Sequence, residues 1–203
     1  MLTFMWSIGL VNTFSQFTTA PPYSFGSTAV ALLYFAPIIG SILGDFWGNW
    51  LNDLIVDQHI RKHNGVYHPE ARLWAIWPAT IIAIASLVLI GQTLQHELSW
   101  GLLALGWGAF SFAVLADTVA ISAYVLDCFP SHAALASSIV NFWRTCGGFC
   151  VVYFQLDWVH KSGAAVTFGC QAAICGFAFL FVVLAQVQGQ RWRVRFPPPQ
   201  AEN

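Results

Sequence analysis

Long apolar runs alternate with short polar breaks along this chain, and the spacing predicts helices that cross a membrane. Leu2 to Ala20 is the first run, close to the length that crosses a hydrocarbon core of ~30 Å. Asn12, Ser15 and Gln16 interrupt it, so one face is polar. Pro21 and Pro22 end it, and PPYSFGS reads as a short connection. Thr28 to Leu51 is the second span and Leu73 to Gln92 the third. After QTLQHELS comes the fourth, Trp100 to Leu126, long enough to tilt or protrude. Ala133 to Phe154 is the fifth, Asp157 to Gly163 a loop, and Ala164 to Val187 the sixth. The tail from Arg191 is basic, then proline-rich, and reads as disordered. The expected fold class is an all-α membrane protein with six transmembrane helices in one bundle.

Between the second and third spans lies a polar island, Gly44 to Trp74, with seven charged residues: Asp45, Asp53, Asp57, Arg61, Lys62, Glu70 and Arg72. Asn64-Gly65 is a turn signal, and the residue before Pro69 is biased away from helix. Helix is therefore expected to run past Asp53, break near Asn64 and restart after Pro69. The loop itself is placed at residues 52–72. Glu70 then sits in a first helical turn, where a carboxylate suits the positive end of the dipole. Basic residues orient the chain. Arg61, Lys62, Arg72, Arg191, Arg193 and Arg195 fall on one face, and only Lys161 falls opposite. The island and both termini are expected to be cytoplasmic. Trp47, Trp50, Trp74, Trp77, Trp100, Tyr124 and Trp158 lie near span ends, as interfacial anchors do.

Composition supports this reading. The chain is 57% hydrophobic and 8% charged, whereas a soluble domain carries about 25% charged residues to coat its surface. No basic stripe with interleaved aromatics is present, so nucleic acid is not an expected partner. The five cysteines form no CxxC pair and read as small buried hydrophobes; Cys146 and Cys150 are one turn apart. His59 and His63 have helical spacing, with His68 nearby, but they lack the glutamate of a zinc-protease motif. There is no GxSxG, P-loop or dinucleotide fingerprint. No enzyme activity, cofactor or metal is expected. The N-terminus lacks a positive n-region and a clear cleavage site, so a first span fits better than a signal peptide.

The candidate chemistry lies inside the spans, where charge is costly and faces a cavity or a partner. Asp45 falls in the second span, Asp117 well inside the fourth, Asp127 at its end, and Arg144 in the fifth. Asp117 or Asp45 is expected to carry a proton or bind a cation; the alternative is a carboxylate neutralised by Arg144. For Asp127 and Arg144 the structural or gating role is favoured. Asn141 and Arg144, three residues apart and flanked by Phe142 and Trp143, read as substrate-facing groups or as helix-to-helix hydrogen bonds. Gly40, Gly44 and Gly48 recur every four residues and predict a helix-packing face.

The basic island followed by PEARLW, together with PPYSFGS, SAYVLDCFP, NFWRTCGGF and FGCQA, resembles the second half of fungal major facilitator superfamily transporters. The likeness is to their drug:proton-antiporter-like branch and covers nearly the whole chain. It implies that the six spans correspond to transmembrane helices seven to twelve of that family. It also implies alternating access between two six-helix bundles, with a small solute bound near the midplane and protons as the coupling ion. The family's cytoplasmic loop motif maps in partial form onto Gly44, Gly48, Asp53, Arg61 and Lys62, where Asp53 would latch the cytoplasmic side. The chain supplies one bundle where the family uses two, and Met1 falls at the start of the seventh helix. A truncated product, a second copy, or a separate N-terminal six-helix bundle would account for this. A non-transporting scaffold or regulatory half-transporter is the alternative function. The expected setting is the lipid bilayer, as a multi-pass protein of the plasma membrane.

Overall fold

The structure, a computed structural model, describes residues 2–21, 23–62 and 68–195, with backbone only at 190 and 192–194. Among these residues the chain is helical and contains no strand: α1 (Leu2–Thr19), α2 (Ser27–Leu33), α3 (Phe35–Lys62), α4 (Ile76–Gln95), α5 (Trp100–Cys128), α6 (Ala133–Ser162) and α7 (Ala164–Arg195). Short 3₁₀ helices, Pro69–Ala75 and Pro130–His132, lead into α4 and α6. Each begins at a proline, whose fixed φ and missing N–H suit the first position of a helix.

The second apolar run forms two helices. Pro37 has no N–H to offer the Leu33 carbonyl, and its ring crowds that turn. The Tyr34 N–H bonds instead to the Ala31 carbonyl at 3.2 Å, which closes α2 tightly. With α2 and α3 taken as one bent rod, six rods make up the bundle. Four of them are long and apolar enough to cross a membrane: Ser27–Lys62, Pro69–Gln95, Trp100–Cys128 and Ala164–Gly189. α1 and α6 fall outside that group because they carry polar residues along their length. Thr13, Thr18 and Gln155 among these are buried inside the bundle.

Several helices outrun their apolar segments. α3 continues through Asp53 to Lys62, so the first half of the expected 52–72 loop is helix. The Asn64-Gly65 turn and His63 lie outside the described residues. α6 runs to Ser162, so the expected loop from Asp157 is helical up to Gly163. Gly163 alone joins α6 to α7, with a φ of +83° that a side chain would resist. α7 extends to Arg195, so Arg191, Arg193 and Arg195 continue a helix rather than a disordered tail. Gln and Arg are good helix formers, and the first proline beyond α7 is Pro197. The proline-rich end lies outside the described residues.

α5 is the central helix. It packs on α3 along one side and on α4 along another; α4 also packs on α7, and α1 packs on α6. Gly40, Gly44 and Gly48 form the α3 stripe against α5 and are all buried. A Cβ on Gly40 would collide with the Gly108 carbonyl, and one on Gly44 with the Phe112 carbonyl. At Gly48 it would come within 3.0 Å of Ala116 Cα. The main core holds Trp6, Leu10, Phe14, Trp107, Phe110 and Phe168. Phe14 and Trp107 stack there at 3.7 Å between ring centroids. A smaller cluster of Leu73, Ala75, Ile76 and Ala120 closes the island end. Outward, the helices present bare apolar side chains, such as Phe46, Ile81 and Phe149. In water these would form a large apolar patch; in lipid they meet a matching solvent.

Candidate functional site

Asp117 lies about midway along the spanning part of α5, on the face turned into the bundle, and is 3% exposed. Alanines at 113, 116 and 120 surround it on its own helix and let neighbouring helices approach closely. Its Oδ1 has no hydrogen-bond partner among the described residues. Two spaces border the carboxylate. One is a largely apolar cavity of about 250 Å³, lined by Leu2, Thr80, Cys175, Phe179 and Val182 among others. The other is a niche of about 30 Å³ bounded by Phe4, Thr118, Ser122 and Arg144.

Arg144 reaches this niche from α6. Its Nη2 donates to the Thr118 Oγ1 at 2.9 Å, and Thr118 in turn donates to the Val114 carbonyl at 2.7 Å. The guanidinium carbon lies 3.9 Å from the centre of the Phe4 ring, a cation–π arrangement. An acidic and a basic side chain thus share one niche, and no ion pair joins them among the described residues. A group offering a hydrogen-bond donor or a positive charge can approach Asp117 from the larger cavity, with apolar walls for the rest of the molecule.

Arg144 does not serve Asp127, as was one expectation. Asp127 lies ten residues beyond Asp117 on α5, about 15 Å further along the axis. Its partner is Arg72 of the first 3₁₀ helix, with Nε to Oδ2 at 2.5 Å. The same 3₁₀ helix places Glu70 beside Gly189 of α7 and Tyr124 of α5. The Trp77 indole then donates to the Gln186 Oε1 at 3.0 Å, tying α4 to α7. The island end is therefore closed by Arg72 and Asp127. Asp53, Arg61 and Lys62 are exposed along α3, and no ion pair involves them among the described residues. Helix α3 continues two turns past Asp53, so this carboxylate sits on a helix flank instead of at a helix end.

Two further expected residues stand apart from the site. Asn141 is exposed and borders neither space around Asp117. Three residues along a helix is a rotation short of a full turn by about 60°; Arg144 occupies the edge of the buried face, so that rotation turns Asn141 outward. Asp45 is exposed too. It follows Gly44, and since α3 presents its glycines to α5, the next residue points about 100° away from that contact. Sequence reasoning missed Phe4, Thr80 and Cys175, which are ordinary apolar or small residues until the helices meet. Arg72 was read only as a topology signal, although PEARLW already set it at the start of a helix.

No disulfide forms among the described residues, and no group of three metal-ligating side chains occurs among them. The His59 and His68 rings approach edge to face at 5.7 Å.

No family model and no solved structure matches the chain. Its relatives are fungal. An uncharacterized MFS-type transporter of Schizosaccharomyces pombe is 25% identical over 161 residues, covering 79% of this chain and 27% of the relative. The MFS-type transporter oryF of Aspergillus oryzae is 29% identical over 127 residues, covering 63% of this chain and 26% of the relative. A probable transporter of Saccharomyces cerevisiae is 22% identical over 209 residues, covering 95% of this chain and 35% of the relative. The chain thus spans roughly a quarter to a third of the length of these relatives. It is a multi-pass α-helical membrane protein, similar to fungal major facilitator transporters and consistent with a C-terminal half of one.

Proposed function

We propose that this bundle moves a small solute across a membrane by alternating access, coupled to protons, as the C-terminal half of a major facilitator transporter. The observation that carries the reading is Asp117: a carboxylate inside the bundle, without a hydrogen-bond partner at Oδ1, bordering a cavity of about 250 Å³. A carboxylate kept out of water and without an ion-pair partner is suited to exchange a proton or a cationic substrate. Arg144 and Thr118 tune that exchange from the opposite side. The Arg72–Asp127 pair is the gate at the island end. The favoured substrate is a lipophilic cation, whose charge meets Asp117 while its apolar body lies against the cavity wall. A second six-helix bundle supplies the other half of the pathway. The island and the termini face the cytoplasm of the plasma membrane.

The test is reconstitution of the full chain in liposomes loaded with a pH-sensitive dye. With an inside-acid gradient, wild-type protein is expected to accumulate rhodamine 6G and release protons. Asp117→Asn is expected to abolish both. Equal dye accumulation by wild type and Asp117→Asn would remove Asp117 from the mechanism. Wild-type protein that moves neither dye nor protons would leave the bundle without a transport role on its own.

A further inference from the structure

A second cavity, of about 350 Å³, opens at the end of the bundle away from the island. It lies where segments distant in sequence converge: the end of α1, the 20–25 connection, the α4–α5 turn, and the junction of α6 with α7. Phe17 and Leu156 supply apolar wall, and Gln16, Tyr23, Glu97 and His160 supply polar edges. The architecture holding it is specific. The Tyr23 hydroxyl donates to the Leu98 carbonyl at 2.7 Å, which pins the first connection to the α4–α5 turn. In that turn Glu97 adopts a φ of +51°, outside the region most side chains prefer. Across the junction, Ala165 N–H points to the Gln95 Oε1 at 3.5 Å.

We propose that this cavity binds an organic ammonium, at a site separate from Asp117. Among the described lining residues Glu97 is the only carboxylate, and no lysine or arginine stands among them to neutralise it. Its field reaches across the space: the Tyr23 phenol is pushed above its ordinary value, first by burial and then by the charge on Glu97. An anion would be repelled by that charge. A cation meets it favourably and also finds two aromatic rings, Phe17 and Tyr23, which attract positive charge through their faces. The volume is at the small end for ligand pockets, which favours a compact ammonium with a short apolar body. Two sources share this chemistry, a free quaternary amine and the choline headgroup of a lipid at the membrane interface. The site does not rest on the transport reading.

The experiment uses the purified full chain in maltoside micelles and benzyltrimethylammonium as the probe, followed by equilibrium dialysis. Saturable binding is expected, with a component that depends on Glu97. Glu97→Gln should weaken that component about tenfold, the loss of one charge contact. Ala20→Trp fills the cavity from its exposed rim, away from the core, and should block binding even if Glu97→Gln folds poorly. Added phosphatidylcholine should compete if the lipid headgroup is the occupant and have no effect if the free amine is. The proposal is overturned by wild-type protein that shows no saturable binding. It is overturned equally by Glu97-dependent binding that Ala20→Trp spares, or by binding indifferent to Glu97→Gln.

Discussion

Asp117 and Asp127 stand on the same helix, ten residues apart, and are held in opposite ways. Asp127, at the end of α5, is partly exposed and has Arg72 against it. Asp117, in the middle, is buried, and its Oδ1 has no partner even though Arg144 lines the same niche. The difference teaches where stability and function separate in this bundle. A partly exposed ion pair contributes modestly to holding the 3₁₀ helix on α5. A buried carboxylate without a counter-charge costs stability, and the fold would be firmer without it. Such a group is retained for what it exchanges.

The sharpest way to break this comparison is to neutralise each carboxylate in turn. Asp117→Asn keeps the shape and removes the charge. Proton-driven uptake into liposomes is expected to fall at least about a hundredfold, in line with the loss of a proton-transferring group. The thermal midpoint of the bundle should hold or rise. A clear fall in the midpoint would mean that Asp117 is a structural member of the core, and the contrast with Asp127 would disappear.

The next largest effect concerns the frame that holds both carboxylates at fixed depth. Gly44→Val places a branched side chain where the Phe112 carbonyl already lies. Overpacking of this kind costs about 1–3 kcal/mol, and more where backbone must move. The measurement is the fraction of folded protein against denaturant in micelles. Gly101→Val, at a position with open space around a would-be Cβ, should cost far less. Equal losses would show that propensity, not the close α3–α5 approach, sets the need for glycine.

The sequence made some of this contrast legible and concealed the rest. The helical runs were plain, and four of them have the length and apolarity that a bilayer demands of a helix crossing it. Their ends were less plain: α6 and α7 continue well past their last apolar stretch, since a helix leaving lipid can go on in water until Gly163 or a proline stops it. The break at Tyr34 went unread, although Pro37 stands three residues beyond it. Which carboxylate faces inward was not legible at all. In water, an apolar stripe marks the buried side of a helix; in lipid the outer side is equally apolar, so Asp45 on α3 and Asp117 on α5 look alike in the sequence. The pairing of Asp127 was hidden for a different reason. Arg72 and Arg144 are both arginines at plausible distances along the chain, and only the position of the 3₁₀ helix decides between them.

The smallest effect is the most discriminating, because it asks whether Arg72 and Asp127 act as a pair. Asp127→Ala and Arg72→Ala should each destabilise the bundle by about 1 kcal/mol, the scale of a part-exposed ion pair. The swapped variant, Arg72→Asp with Asp127→Arg, should recover most of that loss. It will not recover all of it, since a carboxylate at 72 is shorter than a guanidinium and meets the other end of the contact differently. A double-mutant cycle in micelles reads the coupling directly. If the two losses simply add and the swap recovers nothing, the side chains only fill space at the island end. The paired carboxylate would then hold the bundle through packing, and the line between Asp127 and Asp117 would have to be drawn on burial alone.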